Sequence, residues 1–580
     1  MISSDLIKWF NCLIIVSFLC CTTEETIKPS DFEIRIRIPF EPDRLNPMLS
    51  RQTTATQIEK LIFCPLEDYD PWTLNLEPVL LEAKPEIVPI DTGQHTGGTM
   101  LAMRIREDAT WDNGFPVTGM DYLFTMKTAL NPYLANSSWA GFVSIIKDIQ
   151  VDSSDLKRIT VIIDKQYILG EEVVCGFAVY PEHIYDSLLN LRHIQFEHLL
   201  QGQMSLTREQ DLILSRFAES FNDVVFSRNT VQGCGPYSLI SWESNRQIIL
   251  KRKENWWGDA IKDPHPLLVA NPGQIIYYFI PDEQTALTSF KDGRFDVLTD
   301  IDPDLFNDLI RFKGGESFTL ETPTILQYYY IAYNNLNPVL QDSRVRRALS
   351  HLMDVDQVID QLFYGKAQKI VSPIHPSKSY YDNSLLPLEF DLEAAKSLLA
   401  EAGWRDHDKY GRLENPDLGM TQMKLDILTT PSQLSQDVAI IFKEQASRVG
   451  IEVQIVPHEF RILLQKVRQQ EFDLACLASR QSNGLYDPYS SWHSDNISGT
   501  GNNYCGFSNQ ENDQIIEQLR TTLDHDELTD LYKRFQSIIY REQPAMFLVA
   551  PQTRIAVNDR FQFKASVIRP GYFENTFSLN

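Results

Sequence analysis

Short apolar runs alternate along most of the chain with segments whose apolar positions recur at the helical period. The longest such unit is Ile325–Lys366. Its continuous apolar run Ile325–Tyr333 predicts a strand buried on both faces, closed by Asn334-Asn335 and Asn337-Pro338. Asp342 or Ser343 then caps a helix whose apolar positions are Val345, Ala348, Leu349, Leu352 and Met353. Asp354-x-x-Gln357 has the form of a capping box for a second helix, which Gly365 ends. Elsewhere Asp31–Pro39 alternates as a strand, and Tyr237–Ser241 with Ile248–Arg252 predicts a hairpin. Ile275–Ile280, a helix from Asp282 to Lys291 and Phe295–Thr299 give strand, helix, strand. Met423–Leu428, Asp437–Arg448, Ile451–Val456, Arg461–Gln469 and Phe472–Ala478 repeat the alternation, which is the signature of a parallel sheet covered by helices.

The 580 residues are too many for one core, so at least two lobes are expected. Lys+Arg 53 against Asp+Glu 78 gives a net charge of −25, which argues against nucleic-acid binding. At the start, Lys8 precedes the apolar run Trp9–Leu19, then Cys20-Cys21 and a polar stretch. The run is too short to span a bilayer and has the length of a signal-peptide core. A cysteine there, followed by a polar tether, resembles a bacterial lipoprotein site. Cys21 is the favoured acylation site and Cys20 the alternative; an ordinary cleaved signal is the third reading. The remaining Cys64, Cys175, Cys234, Cys476 and Cys505 match no metal spacing and leave room for one disulfide whose partners the sequence does not name.

Three blocks carry a resemblance. Asn334, Pro338, Asp342, Arg344-Val345-Arg346-Arg347-Ala348-Leu349 and Met353-Asp354 form the first. Trp111, Asp112, Gly114, Pro116-Val117-Thr118, Asp121, Phe124 and Thr125 form the second, and Gly233-Cys234-Gly235-Pro236-Tyr237 with Asn255-Trp256-Trp257-Gly258 the third. Together with weaker matches at Leu45-Asn46-Pro47 and Phe290–Val297, they make the chain similar to the extracellular solute-binding proteins of ABC importers, in the oligopeptide/dipeptide-binding family (solute-binding family five). The resemblance implies an α/β, two-lobed periplasmic-binding-protein-like clamp (type II) with a small extra α+β domain. Residues 1–21 are then a signal peptide ending at the lipidated Cys, and 22–31 a tether. Lobe I is 32–75 with 225–325 and 545–580, the extra domain 76–224, and lobe II 326–544.

In an open α/β sheet, ligands sit beyond the carboxyl ends of the strands, so the loop after Phe472–Ala478 is the expected site. Its candidates are Arg480, Gln481, Ser482, Asn483, Tyr486, Asp487 and Trp492, joined by Tyr333 and Asn334 near the lobe crossing. Asp487-Pro488 matches the family's acidic-Pro pair. Gly484 stands where many peptide-binding members hold the Asp that pairs with the ligand's α-ammonium. Arg480 offers a fork suited to a carboxylate or phosphate; its bland reading is a solvated surface residue. The glycine pair at Gly233 and Gly235 permits a tight turn, and with no helix opening behind it no nucleotide site is expected. His193 and His198 do not have metal-ligand spacing, and neither His-Glu-x-x-His nor Gly-x-Ser-x-Gly occurs. The expected protein is not an enzyme and has no cofactor or metal. It is a monomeric, lipid-anchored binder on the outer or periplasmic side of a bacterial membrane, passing a peptide or peptide-like solute to an ABC permease and ATPase. The alternative is a surface lipoprotein acting as a peptide-binding chaperone or sensor subunit.

Overall fold

The computed structural model describes residues 32–135, 138–312, 317–497 and 501–580. The signal-peptide, tether and lipidation expectations, including Cys20 and Cys21, lie outside the described residues.

Two large sheets form the two lobes. The first has seven strands in the order Phe318–Glu321, Ile555–Asn558, Val297–Leu298, Glu33–Ile38, Gln274–Phe279, Gln247–Arg252 and Tyr237–Glu243. Alternation makes Glu33–Ile38 a strand: Ile34 and Ile36 are fully buried, and the strand runs parallel to Gln274–Phe279. The second sheet has six strands in the order Ala367–Lys369, Ala545–Pro551, Gln327–Tyr333, Leu474–Arg480, Lys424–Thr429 and Glu452–Pro457. Gln327–Tyr333 is buried on both faces, as its unbroken apolar run predicts. Tyr328 and Tyr330 enter one core; Ile331 and Tyr333 enter the other.

Two expectations are corrected. Ala545–Pro551 was assigned to the first lobe with 545–580, but it pairs antiparallel with Gln327–Tyr333 in the second sheet. The second sheet is also only partly parallel. Lys424–Thr429, Glu452–Pro457 and Leu474–Arg480 run together, while Gln327–Tyr333 opposes both of its neighbours.

A third, four-stranded sheet, Glu86–Pro89, Thr99–Arg104, Arg158–Ile163 and Ile146–Val151, lies within the inserted region. Thr118 and Asp121 close a capping box at the start of its helix Gly119–Ala129.

The motif residues have local structural causes. Asp342 caps Ser343–His351 through the Arg344 N–H. Arg346 is buried and donates to the carbonyls of Leu340, Gln341, Glu542 and Gln543, tying that helix to the end of His525–Glu542. Trp256 and Trp257 both donate their indole N–H to the Cys234 carbonyl. Gly233 and Gly235 are required by close approach to the Leu61–Ile62 backbone, where a Cβ would collide; neither has positive φ, so the expected special turn is not the reason. The five described cysteines are buried free thiols.

The chain passes from the first sheet to the second between Glu321 and Gln327 and returns between Pro551 and Ile555. The two crossings lie side by side. Thr324 and Gln552 form a bridge, the Thr553 N–H donates to Pro323 O at 2.9 Å, and Ile325 N–H donates to Pro551 O at 3.1 Å.

Candidate functional site

A cavity of about 720 Å³ lies where the first lobe and the inserted domain meet, with Arg520 of the second lobe in its wall. Its wall is largely apolar, and its size is that of a small-solute pocket. The aromatic part is hydrogen-bonded in place. Tyr180 donates to Asn46 Oδ1 at 2.7 Å and accepts from the Met48 N–H at 3.0 Å, and Trp139 Nε1 donates to Met48 O at 2.8 Å. Phe63 packs on Tyr180, and Phe177 on Trp139.

Glu59, at the end of helix Thr53–Glu59, stands in the same wall and is 3% exposed. Its Oε2 accepts from Ser50 Oγ at 2.9 Å, and its Oε1 has no partner. Burial pushes its pKa up to about 8, with the Ser50 and Asn46 hydrogen bonds pulling the other way.

The lobes touch beside this cavity. The Tyr69 hydroxyl, from the first lobe, donates to Glu172 Oε2 at 2.6 Å. Its ring sits against Gly484 of the second lobe so closely that a Cβ there would overlap it. Lys378 Nζ donates to the carbonyls of Ser482, Asn483 and Gly484 at 2.7, 2.5 and 2.6 Å and fixes the loop's course. Burial draws Lys378 down to about 7 against the opposing pull of Glu172. Burial likewise raises the Glu172 carboxyl, offset by the Tyr69 hydrogen bond. A second cavity of about 270 Å³ lies alongside, sharing Thr56 and Lys60 with the first. Asn483 and Arg569 are in its wall.

The structure divides the candidates that the sequence offered. Asn483 borders the second cavity. Asp487 accepts from the Tyr167 hydroxyl and from Arg520 Nε, both at 2.9 Å. It therefore holds two cavity-wall residues and has little free capacity for a ligand ammonium. Gln481 is buried and spent on His375 N–H and Pro373 O. Ser482 Oγ donates to Leu485 O. Tyr486 accepts from the Trp492 indole, which lies in the second lobe's core. Arg480 is exposed at the strand end, beside Tyr329, and borders neither cavity. Tyr333 is in the core with its hydroxyl on Ser350, and Asn334 Nδ2 is used by the carbonyls of Gln470 and Phe472. Those two hold the fold and do not reach either cavity.

The wall residues Glu59, Tyr167, Glu172 and Arg520, and Tyr69 and Lys378 beside them, were not singled out from sequence. Glu59 alone left a sign there: a carboxylate on the apolar helix face formed by Ala55, Ile58 and Ile62.

Residues 76–503 match the model of the bacterial extracellular solute-binding proteins, family 5. The chain belongs to this family. Within family 5, the oligopeptide-binding protein AppA of Bacillus subtilis is 23% identical over 531 residues, 90% of this chain and 87% of AppA. The AppA structure, in complex with a nonapeptide, superposes with a TM-score of 0.64 at 20% identity, covering 95% of this chain and all of that one. HbpA2 from Haemophilus parasuis gives 0.73 at 19% identity, over 94% of this chain and 100% of HbpA2. The open, unliganded murein tripeptide-binding protein MppA gives 0.72 at 16%, over 94% and 97%. As a family-5 protein the chain is a two-lobed α/β solute binder.

Proposed function

We propose that this protein captures a peptide or peptide-like solute in the walled cavity and delivers it to an ABC permease and its ATPase. The observation that carries the reading is the 720 Å³ cavity, whose wall is completed only when the first lobe, the inserted domain and Arg520 of the second lobe come together. Its volume suits a short solute better than a long extended chain. The names of the relatives support peptide chemistry: AppA is an oligopeptide binder, and MppA a murein tripeptide binder. Capture is by closure about the paired crossings, without turnover of the solute. The protein works outside the cytoplasmic membrane as a monomer, held there by lipid on Cys21, with Cys20 the alternative site. Asn483 and the Asp487–Arg520 pair are the parts of the expected loop that we assign to shaping the pocket.

Native mass spectrometry of gently extracted protein, followed by small-angle scattering with a defined di- to pentapeptide library, tests this. The expected result is a copurified peptide-like mass and a smaller radius on saturation. A chain that retains no such mass, and whose radius no peptide changes, overturns the proposal.

A further inference from the structure

Among the carboxylates in the large cavity's wall, two have strong partners. Asp68 pairs with Lys60 Nζ at 2.8 Å, and Glu172 accepts from Tyr69. The cations there are also engaged. Arg520 is on Asp487, and Lys165 lies over the Tyr167 ring. Glu59 differs. Ser50 Oγ and the Asn46 backbone hold its carboxylate on one side, Oε1 is buried with no hydrogen-bond partner, and no ion pair to Glu59 occurs among the described residues. A buried carboxylate oxygen without a donor is costly, and a cation brought by a ligand removes that cost. The surrounding wall is aromatic, with Phe63, Trp139, Phe177 and Tyr180, and ring faces attract an ammonium further.

We propose that Glu59 is the cation-accepting subsite of this pocket, pairing with an alkylammonium group of the solute and setting a preference for solutes that carry one. The inference rests on the peptide-capture reading for the solute, but the subsite itself is a property of the wall. A peptide supplies an alkylammonium from its α-amino end or from a lysine side chain, and the chemistry at Glu59 is the same for both. The raised pKa of Glu59 agrees with a carboxyl that lacks its counter-charge until the solute arrives.

Calorimetry on the full chain with three tripeptides distinguishes the sources. Ala-norleucine-Ala bears only the α-ammonium, N-acetyl-Ala-Lys-Ala only the side-chain ammonium, and N-acetyl-Ala-norleucine-Ala neither. The wild type should bind at least one ammonium-bearing peptide about thirtyfold more tightly than the third, the expected effect of a desolvated charge pair. Glu59→Gln should lose that preference while binding the third peptide like the wild type. Glu59→Asp, which keeps the charge, should retain part of it. Melting in ligand-free buffer confirms that each variant folds. A parallel arm uses n-pentylammonium chloride against n-pentanol in thermal shift. If all peptides fail but the amine stabilises the wild type and not Glu59→Gln, the subsite stands and the peptide reading falls. An ammonium preference that survives Glu59→Gln, or no amine or ammonium preference in the wild type, overturns the subsite.

Discussion

Gly484 shows how one atom decides the seam between the lobes. No Cβ fits between its backbone and the Tyr69 ring. Gly484→Asp is therefore expected to hold the lobes apart, read as a larger scattering radius. Adding Tyr69→Ala should restore closure, because the obstruction is the ring. A Gly484→Asp variant as compact as the wild type would disprove the contact. The departure at Gly484 was visible in the sequence; its cause was not, because Tyr69 belongs to the other lobe. Glu59 makes a second prediction. Burial pushes its carboxyl up to about 8 in the folded chain, against an ordinary value of 4.5. Between those values the folded chain holds a proton that the unfolded chain releases, so stability falls as pH rises from 4.5 towards 8. Asp43 nearby raises the carboxyl further, the Ser50 hydroxyl and Asn46 backbone oppose it, and the Tyr180 and Tyr185 hydroxyls lie within its field. The loss attributable to Glu59 is of order 4 kcal/mol. Urea unfolding at pH 5 and pH 8 should show it in the wild type and not in Glu59→Gln, leaving the separate share of Glu67, which burial also raises to about 8.

At the scale of elements, periodicity and capping placed the large-sheet strands they named within about two residues, while helix Gln433–Ser447 begins ahead of the expected Asp437 and most elements of the inserted domain were not named. Asp342 caps the helix it was expected to cap, and Asp282 caps the helix expected to begin there. Partnering between strands was less legible. Ala545–Pro551 is buried along its whole length, so it shows no alternation to say which sheet it enters. The expected site loop borders the second cavity through Asn483, but most of its side chains brace the loop, because hydrogen-bond partners from distant segments decide which polar groups remain free. The stretch Lys165–Leu169 was missed altogether. It leaves the inserted domain and docks on the second lobe. Ile168 enters that lobe's core, its N–H donates to Arg520 O at 2.9 Å, and Tyr167 reaches Asp487. Opening the lobes must break this docking as well as the Tyr69–Gly484 contact. Ile168→Ala removes buried methyls worth roughly 2–5 kcal/mol in a core. It should shift the ligand-free protein towards an open form of larger radius without lowering the melting of the second lobe by a comparable amount. A radius equal to that of the wild type would show that the docking does not restrain the hinge.

For the whole molecule, length alone called for more than one lobe, and the strand–helix alternation gave each its class. The sequence did not reveal how tightly the lobes, the inserted domain and the crossings interlock, since that depends on surfaces no local pattern describes. The two crossings are short and joined at Thr324–Gln552, which limits the permitted motion to bending about one line. The placement of Ile555–Asn558 has a different consequence. This strand lies inside the seven-stranded sheet, between Phe318–Glu321 and Val297–Leu298, although it is made after the whole second lobe. The second lobe is one uninterrupted stretch and has all its strands before then. The first lobe, begun at Glu33, stays open in the middle until every strand of the second lobe has been made. The consequence is a folding order in which the later lobe can complete its sheet before the earlier one does.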